Sequence, residues 1–554
     1  MKALLFRQQK RYQNSQNLGS NASNLKSFPR HIFWLLLLGV SLKGFAQDQS
    51  AIKYASLLTA DNAKKHLSIL ASDEFEGRET GKPGADKAAK YIAEEFKKIG
   101  LVAPVNGSYF QNIGLVESTF MVDKFQINKR NLKNHTDFYL GGSSSKKAIK
   151  AKELVFAGYG ISEDQYDDLK GIDISGKVVL IYYRGEPVKD GISVISNTAQ
   201  PSDWVKTRNK RIQNLRVKNP ALILAINPDL AKSLSAAGAQ LGQPALSLKK
   251  EPSVEKGEAD VIQLTSETAD IFLKNSGTTL AQLTEIIKSS GKPASRILKF
   301  DFEASYGAKE TDVKAVNVLG YLEGSDLKNE LLVISAHYDH IGLEDSGTDR
   351  INNGADDDGS GTTAVLELAR TFSQAKLEGK GPRRSILFLA VAGEEKGLLG
   401  SEWYSAHPVF PLANTVTDLN IDMIGRVDPA HKDAPEYCYL IGSDKLSSQL
   451  HKISENANET YTKLKIDYKF NDPNDPERIY YRSDHYNFAK HNIPIIFYFN
   501  GVHEDYHKPS DEVSKINFPL LAKRAQLVFY TAWDIVNRDK RPEVDVKNDM
   551  PQSR

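Results

Sequence analysis

The second half of the sequence alternates short apolar runs with stretches of helical spacing, and this alternation constrains the fold more than any other feature. The apolar runs predict strands, and apolar residues recurring every three or four positions predict helices. The predicted elements are strand 330–335, helix 361–372, strand 385–391, helix 400–406, strand 418–422 and strand 493–499. Apolar strands alternating with helices predict an α/β protein with a mostly parallel central sheet and helices on both faces.

The first half of the chain predicts helices followed by a β-rich stretch. Residues 60–101 have helical character with one glycine-rich break, Asp61 is the predicted N-cap, and 85–99 predicts a second helix. Short β-type runs at 153–160, 176–183 and 221–226 then predict a separate β-rich module. Because single cores stop growing at roughly 250 to 300 residues, a chain of 554 residues is expected to form at least two domains.

The N-terminal leader has the pattern of a signal peptide. Residues 1–46 carry seven Lys and Arg, no Asp or Glu, and an apolar run at 32–42. A run of about 11 residues is too short for a membrane span of about 20 but has the length of a signal-peptide core. We expect cleavage between Ala46 and Gln47 and export to the periplasm or the medium. The alternative is an uncleaved leader that anchors the protein to a membrane.

Removal of the leader changes the charge of the chain. The full sequence has 72 Lys and Arg against 70 Asp and Glu, and loss of the seven leader cations leaves 65 against 70, a net charge near −5. We therefore expect no nucleic-acid partner. The composition is 40% hydrophobic and 26% charged, as in soluble globular proteins, so no stable membrane partner is expected. The single cysteine, Cys438, cannot form an internal disulfide.

Residues with metal-binding side chains follow the predicted strands. His337 and Asp339 come directly after strand 330–335, and residues two apart on a strand face the same way. The carboxylate of Asp339 is expected to accept the second ring N–H of His337 and to fix the tautomer that presents the other nitrogen to a metal. A surface histidine beside an aspartate is the alternative for this pair.

Three adjacent aspartates lie in the glycine-rich loop 352–361, just before a predicted helix. A helix N-terminus favours a carboxylate, and glycine lets the backbone approach an ion. The loop lacks the glutamate that closes an EF-hand calcium loop at its twelfth position. Spacing alone does not choose among Asp356, Asp357 and Asp358, and a solvated acidic turn is the alternative.

A pair of glutamates, Glu394 and Glu395, leaves the apolar strand 385–391. Burying a carboxylate without a partner costs several kcal/mol. One glutamate on a metal and the other on an attacking water would remove this cost.

The remaining polar positions are Asp422, at the end of an apolar strand, and the loop 503–507 with a histidine at each end. Each is weak evidence alone. In open α/β sheets, ligands collect outside the carboxyl ends of strands, so we expect these distant residues to converge.

Several ordered motifs together resemble the zinc aminopeptidase family M28, which includes secreted bacterial aminopeptidases and relatives of glutamate carboxypeptidase. The matching motifs are EGRETG at 76–81, HYD at 337–339, GADDD at 354–358, GEEKGL at 393–398, DMIGR at 422–426, RSDH at 482–485 and YH at 506–507. The resemblance implies that His337 and Asp422 bind one zinc ion. It further implies that Glu395 and His507 bind a second ion and that Asp357 bridges the two.

The resemblance also implies an activity. Glu394 falls on the general base of the family and Asp339 on the partner of His337. The implied reaction is hydrolysis of peptide bonds by a metal-activated water, most simply removal of N-terminal amino acids from peptides. Tyr481 is a candidate second donor to the oxyanion, with ordinary packing as its alternative.

The charge count supports two metal ions. Three carboxylates offset most of the charge of two divalent ions, and a bridging hydroxide would offset the rest. Histidine and carboxylate ligands suit Zn²⁺, although Co²⁺ or Mn²⁺ could occupy the same site.

The β-rich stretch resembles the protease-associated domain inserted in many members of the family, with a passive spacer as the alternative. The expected division of the chain is signal peptide 1–46, first catalytic part 47–145, inserted domain 146–294, second catalytic part 295–538 and flexible tail 539–554.

Three other functions compete with an aminopeptidase. A metallo-carboxypeptidase on the same scaffold needs a cation for the substrate carboxylate, and Arg426, Arg478 and Arg482 are candidates that the sequence cannot place. A glutaminyl cyclase has fewer metal ligands. A receptor-like binding protein is expected to have lost ligands or the base, and none is missing here.

Overall fold

The computed structural model describes residues 47–141, 146–207, 209–238, 241–249, 258–274 and 276–550, so the predicted leader lies outside the described residues. The described α-helices are α1 (Gln49–Ala55), α2 (Ala60–Leu70), α3 (Pro83–Lys98), α4 (Asp203–Lys206), α5 (Lys210–Arg216), α6 (Leu230–Ala237), α7 (Ser266–Lys274), α8 (Leu280–Ser290), α9 (Gly359–Leu377), α10 (Leu399–Ala406), α11 (Ser448–Ala457), α12 (His485–Ala489) and α13 (Phe518–Asn537). None of these combines the length and apolar character that crossing a bilayer requires.

Most described strands join one 15-stranded sheet. The strands are β1 (Phe110–Ile127), β2 (Arg130–Asn131), β3 (Phe138–Tyr139), β4 (Lys147–Phe156), β5 (Ser162–Glu163), β6 (Tyr166–Asp167), β7 (Val178–Tyr182), β8 (Val188–Lys189), β9 (Ile192–Ser193), β10 (Leu222–Ile226), β11 (Ala245–Leu248), β12 (Val261–Leu264), β13 (Arg296–Leu322), β14 (Leu327–His337), β15 (Arg384–Val391), β16 (Thr415–Ile421), β17 (Tyr437–Ile441), β18 (Lys465–Asp467) and β19 (Ile495–Phe499). The main path through the sheet is β18-β17-β19-β16-β14-β15-β13-β4-β7-β10-β12-β3.

The sheet contains two sets of parallel neighbours. The C-terminal set is β19, β16, β14 and β15, and the insert set is β4, β7, β10 and β12. The long strand β13 joins the two sets, because it pairs antiparallel with β15 at one end and with β4 at the other. The predicted α/β fold with a mostly parallel central sheet is confirmed.

Helices cover both faces of the C-terminal set because its strands are apolar on both sides. Leu332 of β14 belongs to an apolar cluster on one face, together with Phe529 of α13. The neighbouring Leu331 belongs to a cluster on the other face, together with Tyr404 of α10 and Phe488 of α12. Every residue of β15 is buried. The polar residues that follow such strands are therefore held on a rigid support.

The stretch 146–294 differs from the β-rich module expected from the sequence. It holds the parallel insert set together with helices α4 to α8. The strands of the insert set continue the main sheet, while β5–β6 and β8–β9 form two separate two-stranded sheets. The helices escaped prediction although α8 begins with a capping box, in which Thr279 and Gln282 bond to each other's backbone N–H groups. This stretch is an α/β layer attached to the C-terminal set through β13.

Two smaller expectations also need correction. Helix α2 is capped by Thr59, whose side chain accepts the N–H of Asn62, and the predicted cap Asp61 lies inside the first turn. Part of the predicted flexible tail 539–554 packs against the protein: Asp545 accepts the N–H and the hydroxyl of Ser448, and Met550 is buried.

Candidate metal centre

The carboxyl ends of the C-terminal set bring the predicted ligands to one edge of the sheet. His337 is the last residue of β14, and Asp422 directly follows β16. The glutamate pair follows β15, and His507 lies in the loop after β19. Parallel neighbours end at the same edge, so side chains far apart in sequence can meet there.

The first group of potential ligands surrounds the Nε2 atom of His337. This nitrogen lies 3.2 Å from Oδ1 of Asp357, 3.6 Å from Oδ1 of Asp422 and 3.9 Å from Oε2 of Glu394. The other oxygen of Asp422 accepts the hydroxyl of Ser483 at 2.7 Å. His337, Asp357 and Asp422 together have the spacing of groups that could hold a metal ion.

A second group shares Asp357 with the first. The Oδ2 atom of Asp357 lies 3.1 Å from Nε2 of His507, and that nitrogen is also 3.1 Å from Oε2 of Glu395. The other oxygen of Glu395 contacts Nδ1 of His340 at 2.9 Å. Because each oxygen of Asp357 faces a different group, this residue has the position of a bridge.

Of the three adjacent aspartates, only Asp357 lies between both groups. Asp358 caps helix α9 by accepting the N–H of Gly361, and it also accepts the N–H of Met423. Asp356 accepts the N–H of Gly425 and faces His503 on its other side. The flanking aspartates thus hold the loops, and the middle one faces the cluster.

Glu394 lies beside the first group without being part of it. Its backbone N–H donates to Asp339, and its nearly buried side chain points toward His337. Burial, together with the nearby carboxylates Glu395 and Asp422, raises the pKa of Glu394 well above its usual range. A carboxylate in this environment readily accepts a proton.

The electrostatics of the cluster favour cations. Burial opposes the charged form of His507, yet Asp357 and Glu395 raise its pKa to about 10. Burial likewise opposes the charged form of His337, but the carboxylates of Asp422 and Glu394 raise its pKa well above its usual range. Carboxylates that stabilise a positive charge on these imidazoles would also stabilise a metal ion, which competes with the proton for the same ring lone pairs.

The donor atoms also suit a metal. Among the described residues, Oδ2 of Asp357 and Nε2 of His507 are buried without a hydrogen-bond partner, although they lie 3.1 Å apart. Two such atoms that face each other without bonding have the spacing of two ligands on one ion. Imidazole and carboxylate donors are the ligands of zinc sites.

The predicted contact between Asp339 and His337 takes a different form. The Nδ1 atom of His337 lies 3.0 Å from the backbone carbonyl of Asp339 and 3.7 Å from its carboxylate. The carboxylate instead accepts the hydroxyl of Thr80 at 2.6 Å and the N–H of Glu394 at 3.3 Å. Strand β14 ends at His337, so the strand alternation behind the prediction stops there. The carbonyl can still fix the tautomer of His337.

A cleft opens onto the cluster, and its lining bears on the assignment of Tyr481. The cleft is lined by Asp357, Glu394, Asp422, Met423, Ile479, Arg482, Phe497, Phe499, Val502 and Tyr506. Tyr481 is not among these residues and packs against Tyr480 and Tyr486 instead. Tyr506, next to His507, does line the cleft, so the YH motif at 506–507 could have identified it.

Two other residues escaped the sequence analysis. Arg78 is buried and donates to the carbonyls of Tyr338, Asn353 and Gly354, which ties together the loops that carry the first group. Asp511 accepts the N–H of Asp357 at 3.2 Å. Arg78 lies in the EGRETG motif and Asp511 in none of the matched motifs, and only the folded chain shows what these residues contact.

Comparison with known proteins agrees with this arrangement. The model of Peptidase family M28 matches residues 317–532, which include every predicted ligand. Residues 317–532 belong to peptidase family M28. The M28 segment covers β14 to β19 and most of α13, that is, all of the elements that carry the cluster.

Three curated relatives of the chain are peptidases by name. Aminopeptidase YwaD of Bacillus subtilis (strain 168) is 26% identical over 300 residues, covering 50% of this chain and 60% of the relative. A probable leucine aminopeptidase of Trichophyton verrucosum is 29% identical, covering 37% of this chain and 54% of the relative. A probable zinc metalloprotease of Pyricularia oryzae is 36% identical over 113 residues, covering 20% and 22%. The chain thus matches less than two thirds of the length of these curated relatives.

Two solved structures of similar proteins carry the name aminopeptidase. The aminopeptidase from Aneurinibacillus sp. strain AM-1 is 18% identical, with a TM-score of 0.47 over 91% of this chain and 100% of that one. The zinc aminopeptidase BSAP from Bacillus subtilis is 19% identical, with a TM-score of 0.44 over 89% and 99%.

Proposed function

We propose that this protein is an exported metallopeptidase that uses two zinc ions to remove N-terminal amino acids from peptides. The observation that carries the proposal is the shared position of Asp357. One of its oxygens faces His337, and the other faces His507. A single carboxylate between two groups of ligands is the arrangement of a two-metal site.

The residues divide into two ligand sets. His337 and Asp422 would hold one ion, Glu395 and His507 the other, and Asp357 both. When bound, the ions would lower the pKa of a shared water and polarise the scissile carbonyl. Zinc suits these ligands best, with Co²⁺ or Mn²⁺ as substitutes.

The chain's own side chains would move the protons. Glu394 lines the cleft and has a raised pKa, so it would accept a proton from the attacking water and return it to the leaving amine. The hydroxyl of Tyr506 would donate to the oxygen of the scissile carbonyl as negative charge develops there. Tyr506 takes the role that the sequence analysis gave to Tyr481.

The substrate end is inferred from the relatives and from the cleft. Several relatives carry the name aminopeptidase. Met423, Ile479 and Phe499 give the cleft apolar walls, which would accept an apolar side chain of the first residue. The leader pattern supports export. The family resemblance supports the proposal that the insert 146–294 corresponds to the protease-associated domain of the family.

Carboxypeptidase activity is the second candidate, because one cation lines the cleft. Arg482 contacts Tyr506 at 3.3 Å and forms no ion pair among the described residues. Arg426 is buried against Asp505, and Arg478 stacks on Tyr481. Of the three candidate arginines, only Arg482 is placed to bind a substrate carboxylate.

The test compares peptides with blocked ends, using mature protein before chelation, after chelation and after return of zinc. An aminopeptidase cleaves free-amine peptides, including C-terminally amidated ones, and leaves N-acetylated peptides intact. A carboxypeptidase shows the opposite preference. Hydrolysis that survives chelation would contradict both candidates.

A further inference from the structure

One buried histidine at the cluster has no role in the ligand sets above. None of the surface of His340 is exposed. Its Nδ1 atom lies 2.9 Å from Oε1 of Glu395, while Oε2 of the same carboxylate lies 3.1 Å from Nε2 of His507. Glu395 is therefore held between two imidazole rings, one on each oxygen.

The ring of His340 is fixed in place by the backbone around it. The N–H of His340 donates to the carbonyl of Arg78 at 3.1 Å, and a β-bridge pairs His340 with Glu79. Gly354 closes the other side, since a Cβ atom there would lie 2.6 Å from Cδ2 of His340. The ring has little freedom to turn away from Glu395.

The hydrogen-bond partners of its two ring nitrogens show whether His340 positions Glu395 or binds a metal itself. A histidine that binds metal usually donates its other ring N–H to a protein group or water. His337 follows this pattern, because its Nδ1 faces the carbonyl of Asp339. Nε2 of His340 is buried and has no hydrogen-bond partner among the described residues. Metal on Nδ1 would force the proton onto Nε2 and leave a buried N–H without an acceptor, which is costly.

We propose that His340 is a positioning residue that donates its Nδ1–H to Oε1 of Glu395 and so aims Oε2 at the second metal ion. The inference rests on the proposed two-metal function and adds a residue to it. Partners that hydrogen-bond to ligating carboxylates hold them in the binding orientation, and their loss typically costs 10- to 100-fold in metal affinity.

The experiment measures zinc affinity of the full mature protein by competition with a chromophoric chelator. His340→Ala should weaken one of the two ions by roughly 10- to 100-fold and leave the other unchanged. In His340→Asn the amide nitrogen can take the place of Nδ1, so most of the affinity should return. The visible spectrum of the Co²⁺-loaded His340→Asn variant should match wild type, because no ligand has changed.

The matched control is His431→Ala, which removes another buried histidine that contacts a carboxylate, Asp428. His431 also contacts Asp467 and Tyr437, and none of these partners belongs to either ligand group. His431→Ala should lower thermal stability without changing the affinity for either ion. A measurement on wild-type protein needs no variant to fold: ¹⁵N spectra of the zinc-loaded protein should show His340 as the Nδ1–H tautomer.

The outcomes separate this inference from the proposed function. If His340→Ala binds both ions with the same affinities as wild type, the positioning role of His340 is wrong and the two-metal function still stands. A changed Co²⁺ spectrum without rescue in His340→Asn, or an Nε2–H tautomer, would make His340 a ligand and overturn it too. Wild-type protein that binds fewer than two ions would overturn the proposed function itself.

Discussion

The two parallel sets of the sheet share an architecture but differ in whether their buried polar side chains have hydrogen-bond partners. In both sets, apolar parallel strands lie side by side and end in loops with buried polar side chains. Among the described residues of 146–294, no buried side-chain polar atom lacks a hydrogen-bond partner. At the edge of the C-terminal set, buried atoms of the aspartate triplet and of three histidines lack one.

The buried polar side chains of the insert form hydrogen bonds mainly with the insert's own backbone. Arg211 donates to the carbonyls of Tyr182, Gly185 and Trp204. Asp168 accepts N–H groups from the loop 159–161 and the hydroxyl of Tyr166. These side chains hold loops together and leave no donor atom for an ion.

The comparison shows that the architecture does not determine the chemistry. What distinguishes the C-terminal edge is a set of carboxylates and imidazoles that face one another and remain unsatisfied by the protein. Buried polar atoms without partners are costly. The facing atoms Oδ2 of Asp357 and Nε2 of His507, 3.1 Å apart and both without a partner, indicate that something outside the chain completes them.

The largest effect is expected from Glu394→Gln, which keeps the shape of the side chain but cannot accept a proton. Turnover should fall by roughly 10² to 10⁴ while both zinc ions stay bound. Steady-state kinetics and zinc content of the same preparation check this, with Glu402→Gln on helix α10 as the control. Full activity in the variant would remove Glu394 from the mechanism.

The next largest effect is expected at Tyr506, which lines the cleft, in comparison with Tyr481, which does not. Tyr506→Phe should lower kcat by roughly 10², because it removes a donor to the developing oxyanion. Tyr481→Phe removes a hydroxyl that does not line the cleft and should change kcat much less. Kinetics on one free-amine peptide compares the two variants. Equal losses would restore the original assignment of Tyr481.

A smaller effect is expected on metal affinity from the aspartate triplet. Asp357→Asn should weaken both ions by at least about 10-fold, because its two oxygens face both groups. Asp358→Asn keeps an oxygen for capping helix α9 and should retain zinc. Chelator competition gives both affinities. Unchanged zinc binding in Asp357→Asn would point to one of its neighbours as the bridge.

The smallest effect is expected in the insert, where stability should depend on pH through Asp168. Burial raises the pKa of Asp168 to about 7. In the unfolded chain Asp168 ionises near pH 4, so its contribution to stability is greatest below pH 4 and is lost as the pH rises toward 7. Asp168→Asn should abolish this decline, a difference of roughly 2 to 4 °C in Tm between pH 4 and 7. Parallel Tm profiles of the two proteins would show that Asp168 does not titrate there.

The sequence was most informative where structure is local. Each strand of the C-terminal set is an apolar run with a polar side chain at its end or within three residues of it. The strands and the convergence of His337, Glu395 and Asp422 could therefore be predicted together. The choice of Asp357 needed the family pattern, because its neighbours differ from it only in the direction of their side chains.

The features that the sequence did not reveal depend on contacts between distant segments. The strands β1 and β13 pair along most of their length, and neither has the apolar character of a buried strand. His340 and Arg78 act through loops that meet only in the folded protein. The helices of the insert carried local signals, such as the capping box of α8, that the strand pattern obscured.

Anomalous diffraction at the zinc edge, on crystals grown with zinc, tests the central claim most directly. We expect two peaks roughly 3.5 to 4 Å apart on either side of Asp357. One peak should contact His337 and Asp422, and the other Glu395 and His507. A single peak, or peaks away from Asp357, would contradict the two-metal centre.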